Sequence, residues 1–132
     1  MTEFIECILD STTDLPGWEY ANTKLFYLSG GCYDLAKIIR TFVPEAQIVI
    51  NGNSDHCAIL YNGIVYDARG EIDYTGFKIA DENDIAYMEN HFGIPEKRMV
   101  KGIPFTQYVI SILNNCDLSF LYKDNNTLTK KL

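Results

Sequence analysis

The dipeptide Asn62-Gly63 falls between two runs rich in apolar residues, 56–61 and 64–68, and it constrains the fold more than any other feature of the chain. Asn-Gly accepts the two positive φ angles of a tight hairpin turn, whose twist matches the strands on either side. A two-residue turn also sets the register, pairing Tyr61 with Ile64, Ala58 with Asp67 and His56 with Arg69. Alternation then places His56, Ala58 and Leu60 on one face and Cys57, Ile59 and Tyr61 on the other. Paired residues share a face, so Asp67 belongs to the His56 face, one diagonal step away.

Ahead of this hairpin, Gly30-Gly31 interrupts the chain and Leu35, Ile38, Ile39 and Phe42 recur at helical spacing until Pro44. Residues 47–50 read as a short β-branched strand and 51–55 as a turn-rich loop. Residues 2–10 predict a helix with Phe4, Ile5, Ile8 and Leu9 on one face, and 11–17 a loop. Residues 20–28 fit either a strand or a helix. Residues 71–80 read as irregular. Asp81 or Asp84 can cap a helix running to about Phe92, with Ile85, Met88 and Phe92 inward. Pro104 suits the first position of a last helix, whose stripe is Phe105, Tyr108, Val109, Ile112, Leu113 and Cys116. The expectation is an α+β fold: a cysteine-bearing helix packed on a small antiparallel sheet, with flanking helices. Residues 1–122 form one domain and 123–132 a polar, frayed tail.

Composition narrows the function classes. In 132 residues, 47% are hydrophobic and 13% aromatic, enough for a core without a metal or disulfide staple. A formal net charge of −7 disfavours nucleic acid; it keeps a chain soluble, or suits a basic protein partner. The four cysteines, at 7, 32, 57 and 116, form no close pair. The opening residues lack a signal-peptide pattern, and no apolar run approaches the ~18 residues of a membrane span. The expected setting is cytoplasmic, with free thiols and no membrane.

Cys32 opens the clearest helix, where unpaired N–H groups and the positive end of the dipole lower a thiol pKa. Leu35, Ala36 and Ile39 share its face, so the thiol points toward the sheet. Gly30 and Gly31 clear the approach for a substrate, and the Cys32 amide can donate to an oxyanion. The competing reading is a small buried apolar cysteine. His56 opens the hairpin strand. Asp67 can hold its tautomer while the other ring nitrogen faces a thiol; Ala58 between them is too small to fill the gap. Arg69 is a candidate for a substrate carboxylate, or for pairing with Asp67 or Glu71. Asp55 competes for His56, but adjacent residues point apart. Cys7, Cys57 and Cys116 read as core, and His91 as a helix C-terminal charge. Cys32, His56 and Asp67 make a poor zinc set, so neither metal nor cofactor is expected.

The segments Gly30-Gly31-Cys32-Tyr33-Asp34-Leu35-Ala36, His56-Cys57-Ala58-Ile59 and Tyr66-Asp67-Ala68-Arg69-Gly70 resemble the papain-like cysteine hydrolase superfamily. The likeness is to its small transglutaminase-like and amidase-like bacterial and phage members. It implies Cys32 as nucleophile, His56 as general base and Asp67 as its orienter. The implied reaction is hydrolysis or acyl transfer at an amide or isopeptide bond of a peptide or protein. Members of that superfamily often complete the oxyanion hole with an upstream side chain, for which Ser29, Asn22 and Tyr27 all qualify. The alternative is a non-catalytic binding or inhibitory protein on such a scaffold, phage- or mobile-element-encoded, meeting a partner through its acidic surface.

Overall fold

Asn62 and Gly63 adopt φ angles of 52° and 79° and close the central hairpin. The structure, a computed structural model, describes residues 1–12 and 23–121. Strands β1 (Gln47–Asn51), β2 (Cys57–Tyr61), β3 (Ile64–Asp67), β4 (Gly70–Ile72) and β5 (Phe77–Ile79) form an antiparallel sheet in the order β4-β3-β2-β1-β5. The hairpin register is the one the turn dictates, with Tyr61 opposite Ile64 and Ile59 opposite Tyr66. With the helices described below, this sheet makes the chain α+β.

Strands β4 and β5 correct the expectation that residues 71–80 are irregular. Each has only three residues, too few for an alternating pattern to register. Asp67 pairs directly with Gly70, so the two-residue turn Ala68-Arg69 starts a second hairpin. Gly70 takes φ 96° there, a conformation that side chains disfavour. Arg69 therefore turns out of the ladder and does not stand opposite His56. Strand β5 returns across the sheet to pair with β1, Asn51 facing Phe77.

Helix α1 (Thr2–Thr12) runs two residues further than its pattern suggested, because Ser11 and Thr12 donate their hydroxyls to carbonyls one turn back. The rest of the predicted 11–17 loop, and the 123–132 tail, lie outside the described residues. Helix α2 (Thr23–Tyr27) resolves the ambiguous stretch as helical where it is described. Helix α3 (Cys32–Phe42) lays Leu35, Ile38 and Ile39 against Ile48, Ile50, Cys57 and Ile59, forming the main core. On the opposite sheet face Val49, Ala58 and Val65 make a smaller cluster with Leu60 and Phe77.

Helix α4 (Glu82–Phe92) begins with a capping box in which both candidate caps act: Asp81 accepts from the Asp84 amide, and Asp84 accepts from the Asp81 amide. Strands β6 (Met99–Val100) and β7 (Ile103–Pro104) form a small ribbon. Helix α5 (Phe105–Leu113) starts one residue after Pro104, not on it. It ends before Cys116, which is exposed and not part of the core stripe. Phe4 meets Phe42 edge-on, and Phe26 meets Phe105 likewise, tying α1 to α3 and α2 to α5. No described helix is long and apolar enough to cross a membrane.

Candidate active site

Cys32 is the first residue of α3; it lines one tight gap with Cys57, and the Cys57 thiol and the His56 ring both lie near enough to act on its charge. His56 stands one residue before β2, at the end of the sheet, and its Nε2 lies 2.9 Å from Asp67 Oδ2. That contact occupies one ring nitrogen and leaves Nδ1 for Cys32. The structure thus brings Cys32, His56 and Asp67 together in sequence-separated contact.

Asp67 is buried, yet every polar demand of its carboxylate is met. Arg69 donates to it from Nη2 at 2.6 Å, from Nε at 3.1 and 3.2 Å, and from its backbone amide at 2.8 Å. Burial alone would raise this carboxyl; the hydrogen bonds from His56 and Arg69 outweigh it and hold the group well below the usual carboxylate range. Arg69 is committed to that task, the pairing that competed with a substrate-binding role. Asp55 bonds to Asn51 instead of to His56.

The charge states follow. The Cys57 hydrogen bond does most to bring the Cys32 thiol down to about 5; burial opposes it, and His56 and the Cys57 amide add to it. The Asp67 hydrogen bond, then that of Cys32, pushes His56 up to about 9 against the pull of burial. Both directions favour a thiolate facing an imidazolium. Cys57 is driven the other way, well above an ordinary thiol, first by its bond to Cys32 and then by burial. It therefore favours its protonated form where Cys32 favours the thiolate.

Cys32 is only 2% exposed, and the gap bounded by Cys32, Ala36, Cys57 and Asp67 is too tight for a water molecule. On the other side of His56 an open groove of about 590 Å³ is lined by Asn51, Asn53, Arg69, Thr75 and Phe77. The two glycines serve differently from expectation. Gly30 is exposed with nothing near its missing side chain, whereas Gly31 is buried against the Phe26 ring, 2.5 Å from where a Cβ would stand. Gly31 therefore admits Phe26, not a substrate.

Of the oxyanion candidates, Asn22 lies outside the described residues. The Ser29 hydroxyl turns back to Leu25 and Phe26 carbonyls. Tyr27 is buried, its hydroxyl and Asp34 Oδ1 both lacking a hydrogen-bond partner among the described residues. His91 is remote in role, stacked on Tyr87 near the end of α4. Among the described residues no group of three or more His, Cys, Asp or Glu side chains is placed to hold a metal.

Sequence reasoning missed two participants. Cys57 is core, as read, but its place on the same tight gap as Cys32 was not foreseen. Asp34 is wholly buried two residues after Cys32, with Arg98 Nε 3.1 Å from its Oδ2; an acid in the first helical turn was visible, but its partner 64 residues away was not.

A family model described as Phage YunG-like protein matches residues 12–110. The chain belongs to the Phage YunG-like protein family. This corrects the papain-like assignment, which rested on residues 30–70 alone: a cysteine at a helix start beside a His-bearing hairpin is a local arrangement, and the match to the Phage YunG-like family spans most of the chain. Neither the curated proteins nor the solved structures contain a significant match to this Phage YunG-like chain.

Proposed function

We propose that the protein is a thiol-dependent hydrolase or acyl transferase acting on an amide or isopeptide bond of a peptide or protein. The observation that carries this reading is the placing of Cys32, at the first turn of an eleven-residue helix, beside His56, whose Nε2 is held 2.9 Å from Asp67 Oδ2. In it the Cys32 thiolate attacks the carbonyl, while the Cys32 amide donates to the developing oxyanion. His56, already protonated, gives its proton to the leaving amine. It then takes one from water, or from an acceptor amine, as the acyl group departs. Asp67 holds the ring in place and favours the imidazolium. The groove beyond His56 is the natural approach for the acyl acceptor.

The test is an acyl-enzyme. Incubation with p-nitrophenyl acetate, followed by intact-mass and peptide analysis, is expected to give one acetyl group on Cys32, absent from Cys32→Ser and turned over slowly in the wild type. Acetylation confined to lysines or to exposed Cys116 contradicts it.

The near-complete burial of Cys32 favours a second reading, a non-catalytic binding or inhibitory protein. On that reading Cys32 stays unreactive, and the acidic chain, with its net charge of −7, meets a basic protein partner.

A further inference from the structure

The Cys32 and Cys57 side chains line the same tight gap between α3 and the central strand β2. They are far apart in sequence and both almost wholly buried. We propose that Cys32 and Cys57 form a reversible disulfide when the protein meets a peroxide, and that this bond switches the site off.

Three features of the pair support it. Both side chains line the same tight gap, with no room for a water molecule, so closing to a bond of about 2 Å asks only for movement within that gap. The partner of the attacking sulfur is fixed on a paired strand, with Cys57 opposite Ile50, so it cannot drift away. His56 beside Cys32 favours the thiolate, the form that reacts with peroxides.

The chemistry balances without another reagent. The Cys32 thiolate attacks one peroxide oxygen, breaking the O–O bond and giving a sulfenic acid and hydroxide, which takes a proton to become water. The Cys57 sulfur then displaces the sulfenic hydroxyl, and the Cys57 proton leaves with it as a second water. Two thiols are oxidised and both peroxide oxygens are reduced. A dithiol reductant reverses the step by thiol exchange.

This regulation rests on the Cys32 thiolate of the proposed function, but not on turnover. The experiment treats the folded full chain with hydrogen peroxide, blocks remaining thiols with iodoacetamide under denaturing conditions, and maps peptides by mass. The expected product is a Cys32–Cys57 cross-linked peptide lacking two hydrogens, lost again with dithiothreitol, while Cys7 and Cys116 remain alkylated. In Cys57→Ser, dimedone should instead trap a sulfenic acid at Cys32. Wild type that carries Cys32 through to sulfinic acid with no cross-link, or that links Cys32 to Cys7 or Cys116, overturns the proposal. A cross-link without any acyl-enzyme leaves the switch standing and removes only the hydrolase reading.

Discussion

Asp67 Oδ2 is shared between His56 Nε2 at 2.9 Å and Arg69 Nη2 at 2.6 Å, so one buried carboxylate orients the imidazole and is itself neutralised from the solvent side. The tight Ala68-Arg69 turn makes this possible, since it folds Arg69 back over the residue two before it. The carboxylate is pre-oriented and cannot swing toward solvent, which is what a fixed imidazole tautomer requires.

Asp67→Asn keeps the shape but removes the charge. Charged hydrogen bonds of this kind contribute about 1.5–3 kcal/mol, and a loss of that order is expected in urea unfolding at neutral pH. The folded carboxyl titrates below its unfolded value. Its contribution is therefore present above about pH 4 and lost as the solution becomes more acid. The stability gap between wild type and Asp67→Asn should shrink on acidification; a gap that widens contradicts the account. The same variant should alkylate more slowly at Cys32, because the imidazolium loses its support.

Gly31→Ala and Gly30→Ala separate packing from approach. Gly31 has φ −99°, open to any residue, so the cost of alanine is purely the collision with the Phe26 ring. Overpacking of this kind typically costs about 1–3 kcal/mol. Gly30→Ala, with nothing within 4 Å, should melt close to wild type. Equal melting temperatures for the two variants would contradict the assignment of Gly31 to packing.

Asp34 and Arg98 form the second charged pair beneath the first turn of α3. Burial pushes the Asp34 carboxyl up to about 6, and Arg98 recovers only part of the difference. A raised folded value means that the contribution of this group is full below about pH 4 and is lost as pH rises through about 6. Arg98→Ala leaves a buried carboxylate without its cation and should cost about 3 kcal/mol at neutral pH. The cost should be smaller at pH near 5, where the carboxyl protonates more readily. Denaturant titrations at the two pH values check this, and a pH-independent cost argues against it.

How much of this was legible in the residues depends on how local each signal is. Asn62-Gly63 specified a hairpin, its register and the shared side of His56 and Asp67 from adjacent residues alone, and that register is observed. Leu35, Ile38, Ile39 and Phe42 likewise marked α3. Strand β5 was not legible, because three residues such as Phe77-Lys78-Ile79 become a strand only by pairing with β1. Strict alternation also placed His56 and Asp67 away from the sheet face that carries α3. His56 contacts Cys32 because it precedes β2 at the sheet's end, a position that a strand pattern does not describe. Arg98 and Cys57 depended on contacts across the fold, and the family was misread because its most suggestive residues occupied less than a third of the chain.

The thiolate–imidazolium pair of Cys32 and His56 is the central claim, and the pH dependence of Cys32 alkylation tests it most directly. The rate of iodoacetamide labelling, followed site by site in the folded protein, should rise through a midpoint near 5 and stay level toward 9. Cys7, whose thiol burial pushes up, should label only at higher pH than Cys32. His56→Ala should move the Cys32 midpoint upward while leaving part of the depression, since Cys57 contributes most to it. A wild-type Cys32 that reacts only in the ordinary thiol range, with a profile unchanged by His56→Ala, would contradict the account.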